Sequence, residues 1–236
     1  MKIATLNIDW AGKAKSKKHY LKIEQFLNNL DLDFLVITEG IHLNLPNFTF
    51  KYFSEQMPED IVFEGLNYSD YLNGEKAFRT IIYSKTECKK WYEVRNVKTN
   101  LALEFETELG LIVLYTTIIG TWFKKLPFAK QELENCIADC KEIYKTNQNL
   151  FIIGDLNTSF LENEKDFTIN EETTESLKAL FQDLNLKIAT KNITENIDHI
   201  IVPKVFENRI LKQGVFVEKN VLSDHKGVFV ELNVLR

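Results

Sequence analysis

Proline is scarce in this sequence, with four in 236 residues beside nine glycines and three cysteines. A chain this poor in proline and glycine holds no collagen-like repeat and no Pro-rich or Gly-rich linker. No low-complexity run divides it either, so one domain over residues 1–236 is expected. The cysteines, Cys88, Cys136 and Cys140, are odd in number and lack the spacing of a disulfide framework, which speaks for a reducing compartment, the cytoplasm. Cys136 and Cys140 lie four apart on a predicted helix. With no further Cys or His nearby to complete a metal site, they read as small apolar helix residues. No apolar run approaches the ~20 residues of a membrane span, and "MKIATLNIDW" has no apolar signal-peptide core. Positive charge is short as well: 29 Lys and Arg stand against 34 Asp and Glu, a net charge of −5. Proteins that wrap duplex DNA draw their affinity from neutralising phosphates. The charge balance weighs against that class and leaves open a polyanion gripped at one local patch.

What is present is hydrophobic periodicity of two kinds. "KIATLNI" (2–8), "DFLVIT" (33–38), "AFRTIIYS" (77–84), "WYEVRNV" (91–97), "LALEFET" (101–107), "LIVLYTTI" (111–118), "NLFIIG" (149–154), "NIDHIIVP" (196–203), "NRILKQGVFVE" (208–218) and "KGVFVELNVL" (226–235) read as strands. Residues 42–76 read as loops with one short strand. Helices are predicted over 17–30, 127–146 and 173–185. The first sets Tyr20, Ile23, Phe26, Leu27 and Leu30 on one face, and the second has Pro127 in its first turn, where a missing N–H is harmless. Strands that outnumber helices, with helices spaced to cover them, predict an α/β sandwich of two sheets.

The chemistry-bearing residues recur at the ends of apolar runs. Asn7 and Asp9 end the first, Glu39 follows "DFLVIT", and Asp155 and Asn157 follow "LFIIG". Asp198 and His199 sit in "NIDHIIV", and Asp224 and His225 precede the last strand in "NVLSDHKGVF" (220–229). Any one of them alone reads as a turn or cap residue. As a set they are different, because strand ends in one sheet converge on one rim. Carboxylates gathered there repel unless a cation or a proton intervenes. Hard oxygen donors favour Mg2+ or Mn2+ over zinc.

The ordered blocks "TLNID", "VITEG", "IIGDLNTSF", "IDHIIVP" and "LSDHKGV" resemble the endonuclease/exonuclease/phosphatase superfamily, and they span nearly the whole chain. "GDLN" alone is weak, but "GDLN", "IDH" and "SDH" in that order are specific. The resemblance implies a four-layered α/β sandwich, deoxyribonuclease I-like: two mainly antiparallel sheets packed face to face, with helices on the outer faces. It implies a metal-dependent hydrolase of phosphoester bonds, with nucleic acid the first candidate substrate. A small phosphoester or a non-catalytic binding module is the alternative. By resemblance, Glu39 is the principal metal ligand, with Asn7, Asp9 and Asp224 in support. Asp155, with Asn157 beside it, orients or deprotonates the attacking water, His225 bonds a phosphate oxygen, and Asp198 holds the far nitrogen of His225. No obligate protein partner and no membrane partner is implied.

His199 follows Asp198 in a strand, so its side chain faces the other way and reads as structural. Ser223 lies two residues from His225 without the G-x-S-x-G context of a serine hydrolase. Where many superfamily members carry a histidine or tyrosine, "LIVLYTTIIG" offers Tyr115, as a catalytic residue or as a half-buried strand aromatic. Thr117 is the alternative there. Lys130 in "FAKQ" is a candidate phosphate contact. The second and fourth blocks, "TEGIH" and "TENID", depart from the abasic-site endonuclease branch. "GKAKSKKH" (12–19) is either a solvated loop or an electrostatic collar. Trp10 and Trp122-Phe123 either stack on bases or close the sandwich margin.

Overall fold

The computed structural model describes residues 1–9, 17–56, 62–63, 66–67, 77–120 and 128–234. The central strands are apolar on both faces, and strand side chains alternate, so each strand feeds two different cores. In β1 (Lys2–Asn7) Ile3 points one way and Ala4 and Leu6 the other; in β2 (Phe34–Ile41) Phe34 and Val36 oppose Leu35 and Ile37. In β10 (Leu150–Asp155) Phe151 and Ile153 oppose Leu150 and Ile152. Three clusters result. One fills the space between two sheets. A second packs the first sheet against α1 (Lys17–Leu27) through Ile23 and Leu27. The third packs the second sheet against α2 (Phe128–Tyr144) and α3 (Glu171–Asp183) through Leu133, Cys136, Cys140, Leu177 and Phe181. The order of layers is helix, sheet, sheet, helix.

The first sheet also contains β3 (Phe50–Phe53), β6 (Ala77–Ser84), β13 (Ile210–Val217) and β14 (Gly227–Leu232), in the order β13-β14-β1-β2-β6-β3. The second contains β7 (Cys88–Trp91), β8 (Leu101–Thr107), β9 (Gly110–Ile118), β11 (Leu186–Ile188) and β12 (Asp198–Pro203), in the order β11-β12-β10-β9-β8-β7. Val62–Phe63 and Leu66–Asn67, β4 and β5, form a separate two-stranded pair. The parallel neighbours are β1 with β2 and β9 with β10; the other pairings are antiparallel. A parallel pair needs a long crossover, and α1 and α2 supply it, one for each sheet. Because they run parallel, β1 and β2 finish on the same rim, and Asn7 lies beside Thr38. In the second sheet the antiparallel pairing of β10 with β12 sets Asp155 opposite Asp198.

Residues 92–97, expected as a strand, are irregular. Asn96 explains this. Its side-chain oxygen accepts the Lys98 N–H, and its carbonyl accepts the Thr99 and Asn100 N–H groups, which closes a turn. The Arg95 N–H goes to the Asp139 carboxylate on α2 instead of to a ladder. The short edge strand β11 has no counterpart in the predicted elements. α3 spans Glu171–Asp183 where 173–185 is expected; it begins two residues earlier because Asn170 caps it by accepting the Thr173 N–H at 2.8 Å.

Gly154 shows how the backbone delivers Asp155 to the rim. Its φ is +143°, and a Cβ there would stand 2.1 Å from the Thr117 carbonyl oxygen of β9. Only glycine accepts both the conformation and the approach. Gly154→Ala is therefore expected to lower the unfolding free energy by roughly 3 kcal/mol or more, from backbone strain plus overpacking. Urea denaturation measures it; a loss under about 1 kcal/mol would contradict the packing described.

Candidate active site

Alternation decides which polar side chains meet. Asn7 shares the parity of Ile3, Asp155 that of Phe151 and Ile153, and Asp198 that of Ile200 and Val202. All three therefore face the space between the sheets at its rim, and all three are buried. The Asn7 amide spans the two sheets, donating from Nδ2 to Asp155 Oδ2 at 3.0 Å. Its Oδ1 accepts the Asp9 N–H at 2.8 Å. The other Asp155 oxygen accepts the Asn157 N–H at 2.9 Å, and Asn157 Nδ2 donates to the Ile119 carbonyl at 2.9 Å. From the turn before β14, His225 brings Nδ1 to 2.6 Å from Asp198 Oδ2. With a carboxylate as acceptor, Nδ1 carries the proton.

The charges are unevenly balanced. Burial above all, with the charges of Asp198 opposite it and of Glu39, raises the Asp155 carboxyl to about 8, against the opposing pull of His225 and the Asn157 N–H. Burial works against a charged His225, but the Asp198 carboxylate, by its charge and its hydrogen bond, holds the imidazolium up to about 10, with help from Asp155 and Asp224. Asp198 Oδ1 is buried with no hydrogen-bond partner among the described residues. Donor atoms of Asp155, Asp198 and His225 all lie within 4.8 Å of one another, a group able to hold a metal ion. A protonated imidazole has no lone pair to give, so the carboxylates and amides are the donors that suit a hard cation.

Asp9, Glu39 and Asn157 have φ of 46°, 46° and 49°. A left-handed backbone in non-glycine residues concentrates where side chains must be re-aimed. At Glu39 it interrupts the alternation of β2, and the carboxylate lies 3.6 Å from Arg79 Nη2 across the strand pair.

The expected residues divide in the structure. Asn7, Asp155, Asn157, Asp198 and His225 assemble, Asp9 joins them through its backbone, and Glu39 acts on Asp155 electrostatically. Tyr115 does not join them. Strand parity turns it, with Thr117, to the outer face, where it is buried and its hydroxyl donates to Asp139 Oδ2 at 3.2 Å. It belongs to a network with buried Asn100 and Asp139 and half-exposed Arg95, on the opposite face of the sheet from the inner rim where a phosphate contact would have to stand. Asp224 is exposed and accepts from Ser223 Oγ at 3.2 Å, outside the clustered trio. Ser223 Oγ also accepts the His225 backbone N–H, so it is engaged with backbone and Asp224, and not with the imidazole ring. Lys130 is exposed in the first turn of α2. Trp10, Trp122-Phe123 and residues 12–16 of the lysine cluster lie outside the described residues.

Two residues escape sequence reasoning. Buried Glu164 accepts the Ser159 hydroxyl at 2.7 Å and the Glu195 N–H at 2.9 and 3.0 Å, tying the segment before Asp198 to the one after Asn157. Nothing in "LENEKDF" sets it apart from a solvated acidic loop. Arg79 does carry a signal: it is the lone charge inside the apolar run "AFRTIIYS".

His199 faces outward and is fully buried. Its Nε2 donates to the Thr158 carbonyl at 2.9 Å, its Nδ1 accepts from the Thr190 hydroxyl at 3.0 Å, and the Phe160 ring meets it edge-on. Burial pushes it down to about 4. An unfolded histidine titrates near 6.5. Below that pH the unfolded chain binds a proton the native state refuses, so stability present above pH 6.5 is lost as pH falls toward 4. The loss is about 2 kcal/mol at pH 5. Urea denaturation at pH 5 and 7.5 is expected to show a flatter pH dependence in His199→Gln by that amount; equal slopes would mean that the native imidazole titrates normally.

No protein-family model matches the chain, and no curated protein does. Solved structures do. A 3' phosphatase from Neisseria, NExo, bound to a product DNA hairpin, superposes with a TM-score of 0.70 at 14% identity, over 99% of each chain. The endonuclease domain of TRAS1, a telomere-specific non-LTR retrotransposon, gives 0.63 at 14% identity, over 100% of this chain and 99% of that one. An endonuclease/exonuclease/phosphatase from Beutenbergia cavernae gives 0.65 at 14% identity, over 98% of this chain and 70% of that one. Helix, sheet, sheet and helix, stacked in this order and matched end to end, give the chain the endonuclease/exonuclease/phosphatase fold.

Proposed function

We propose that the chain is a divalent-metal-dependent hydrolase of phosphodiester bonds, with nucleic acid as its substrate class and residues 1–236 working as one cytoplasmic domain. The observation that carries this is the pairing at the rim: Asp155 held by Asn7 and Asn157, and His225 held by Asp198, facing one another between the sheets. NExo, solved with a DNA product, and the TRAS1 endonuclease share the fold, which favours nucleic acid over a small phosphoester.

The donor set suits a hard cation. Glu39 would hold it, with Asn7, Asp9 and Asp224 in support; the charges of Asp198 and Glu39 both bear on Asp155, and Asp198 Oδ1 has no hydrogen-bond partner among the described residues. When bound, Mg2+ or Mn2+ supplies Lewis-acid stabilisation of charge on a phosphoryl oxygen. Asp155 orients the attacking water and takes its proton; both its oxygens are fixed, one by the Asn7 amide and the other by the Asn157 N–H. His225 donates from its second nitrogen to a phosphoryl oxygen and stabilises the pentacoordinate state as a cation. Asp198 keeps that ring oriented and protonated. Asn157, anchored on Ile119, positions Asp155 and borders the substrate.

Hydrolysis of bis-p-nitrophenyl phosphate tests the proposal. Turnover is expected with Mg2+ or Mn2+ and none in EDTA. Glu39→Gln, Asp155→Asn and His225→Ala are each expected to lower kcat by roughly 100-fold or more while keeping the wild-type circular dichroism spectrum. Full turnover in EDTA, or a His225→Ala variant as active as the parent, would sink it. Tyr115→Phe serves as the opposite control. It is expected to keep its kcat and to lose about 1 kcal/mol of stability from the Asp139 network.

A further inference from the structure

We propose that a lysine-lined groove on one flank of the sandwich carries the single-stranded continuation of a nucleic-acid substrate away from the rim. This rests on the phosphodiesterase reading and narrows its substrate to one with a flexible strand. The groove encloses about 630 Å3. It runs between the edge strand β11 of one sheet and the edge strand β13 of the other, which share a flank because β12 and β14, the next strands inward, face each other. Its described lining includes Lys178, Lys187, Lys191, Lys204 and Gln213, and no carboxylate. That is a local reversal of sign in a chain of net charge −5. Carboxylates outside the lining pair with two of the lysines, Glu175 with Lys178 at 2.9 Å and Glu207 with Lys187. Lys191 and Lys204 are exposed.

One stretch of chain links the groove to the site. β11 leads into a turn segment, residues 189–197, that ends at Asp198, and Lys191 sits on it. Lys226, next to His225, donates to the Thr194 carbonyl of the same segment at 3.0 Å. From Asp198 to Pro203, β12 covers roughly 17 Å at strand rise. Its far end pairs with Leu186, where Lys187 and Lys204 lie. A phosphate backbone leaving the rim along this edge would meet Lys191 on the turn segment and Lys187 and Lys204 at its far end. A duplex would not follow it, because bending a stiff double helix from rim to flank costs several kcal/mol, whereas a single strand turns the corner freely. The aromatic in the lining, Phe181, is buried. The groove thus grips backbone charge without stacking bases, and its preference for sequence is weak.

Fluorescence anisotropy with a labelled 20-mer oligothymidylate, in EDTA so that no cleavage occurs, tests this. Lys191→Gln/Lys204→Gln is expected to bind about 25-fold more weakly at 0.1 M salt and to make the salt slope shallower by about 1.4, the counterion release of two single-strand phosphates. Lys89→Gln/Lys90→Gln removes the same charge from β7 at the opposite edge of the sheet and is expected to bind like the parent. Equal losses in the two double variants, no loss in the first, or no binding by the parent would overturn the proposal. Turnover of bis-p-nitrophenyl phosphate by the groove variant is expected to be unchanged. If the parent itself lacks that turnover, the phosphodiesterase reading fails, while the binding comparison still reads the groove.

Discussion

Two carboxylates face each other across a strand pair at the mouth of a hydrophobic slab, and much of the rim is arranged around that conflict. Asp155 and Asp198 are opposite neighbours in β10 and β12, both buried. Buried like charges at that spacing are unfavourable. Three devices moderate the cost. His225 neutralises Asp198 from the other sheet, the Asn7 amide bridges to Asp155, and Asn157 gives Asp155 a backbone N–H. What they leave uncompensated is the raised proton affinity of Asp155 and one oxygen of Asp198 that has no partner among the described residues. A site with leftover negative charge in a low-dielectric setting is set to take up either protons or a cation.

The sandwich makes this conflict possible because it supplies the site from both sheets. Asn7 and His225 come from the first sheet's side, Asp155 and Asp198 from the second, and the hydrogen bonds Asn7–Asp155 and His225–Asp198 both cross the interface. Each sheet contributes a parallel pair closed by a helix, so β1, β2, β9 and β10 all run out toward the same rim. Side chains there sit at the ends of rigid ladders, which hold geometry better than free loops do.

The layers were legible because alternating and helical periodicities are written in the residues themselves. "AFRTIIYS" and "LALEFET" match their strands to the residue. "WYEVRNV" misleads because β propensity is a statement about packing. At Arg95 and Asn96 the backbone finds better partners in Asp139 and in a local turn. The site was legible only as a set. Asn7, Asp155, Asp198 and His225 converge because parity and register place them on one inner rim, and parity can be counted from sequence. Counting it for Tyr115 from Leu114, its inward-facing neighbour, turns that tyrosine outward, but which face is inner is knowable only once the sheets are paired. Glu39 and Asp9 escape parity altogether, since a left-handed residue re-aims the chain. Glu164 was illegible because its partners, Ser159 and the Glu195 N–H, come from two separate loops.

The net charge of −5 is compatible with the proposed polyanionic substrate once sign is considered by region and not in sum. The rim concentrates negative charge where a cation can be recruited, and the flank beside β11 concentrates lysines without carboxylates in its lining. Screening makes such separation effective. Beyond roughly 8–10 Å at physiological salt, exposed charges are largely hidden from one another, so an approaching phosphate responds to the patch it touches more than to the total. The acidic remainder then limits non-specific sliding on duplex nucleic acid, which a uniformly basic surface would promote. An arrangement of this kind trades overall affinity for position: on the proposed reading, a phosphate is met by local patches, the lysine-lined flank among them, and not by the acidic surface as a whole.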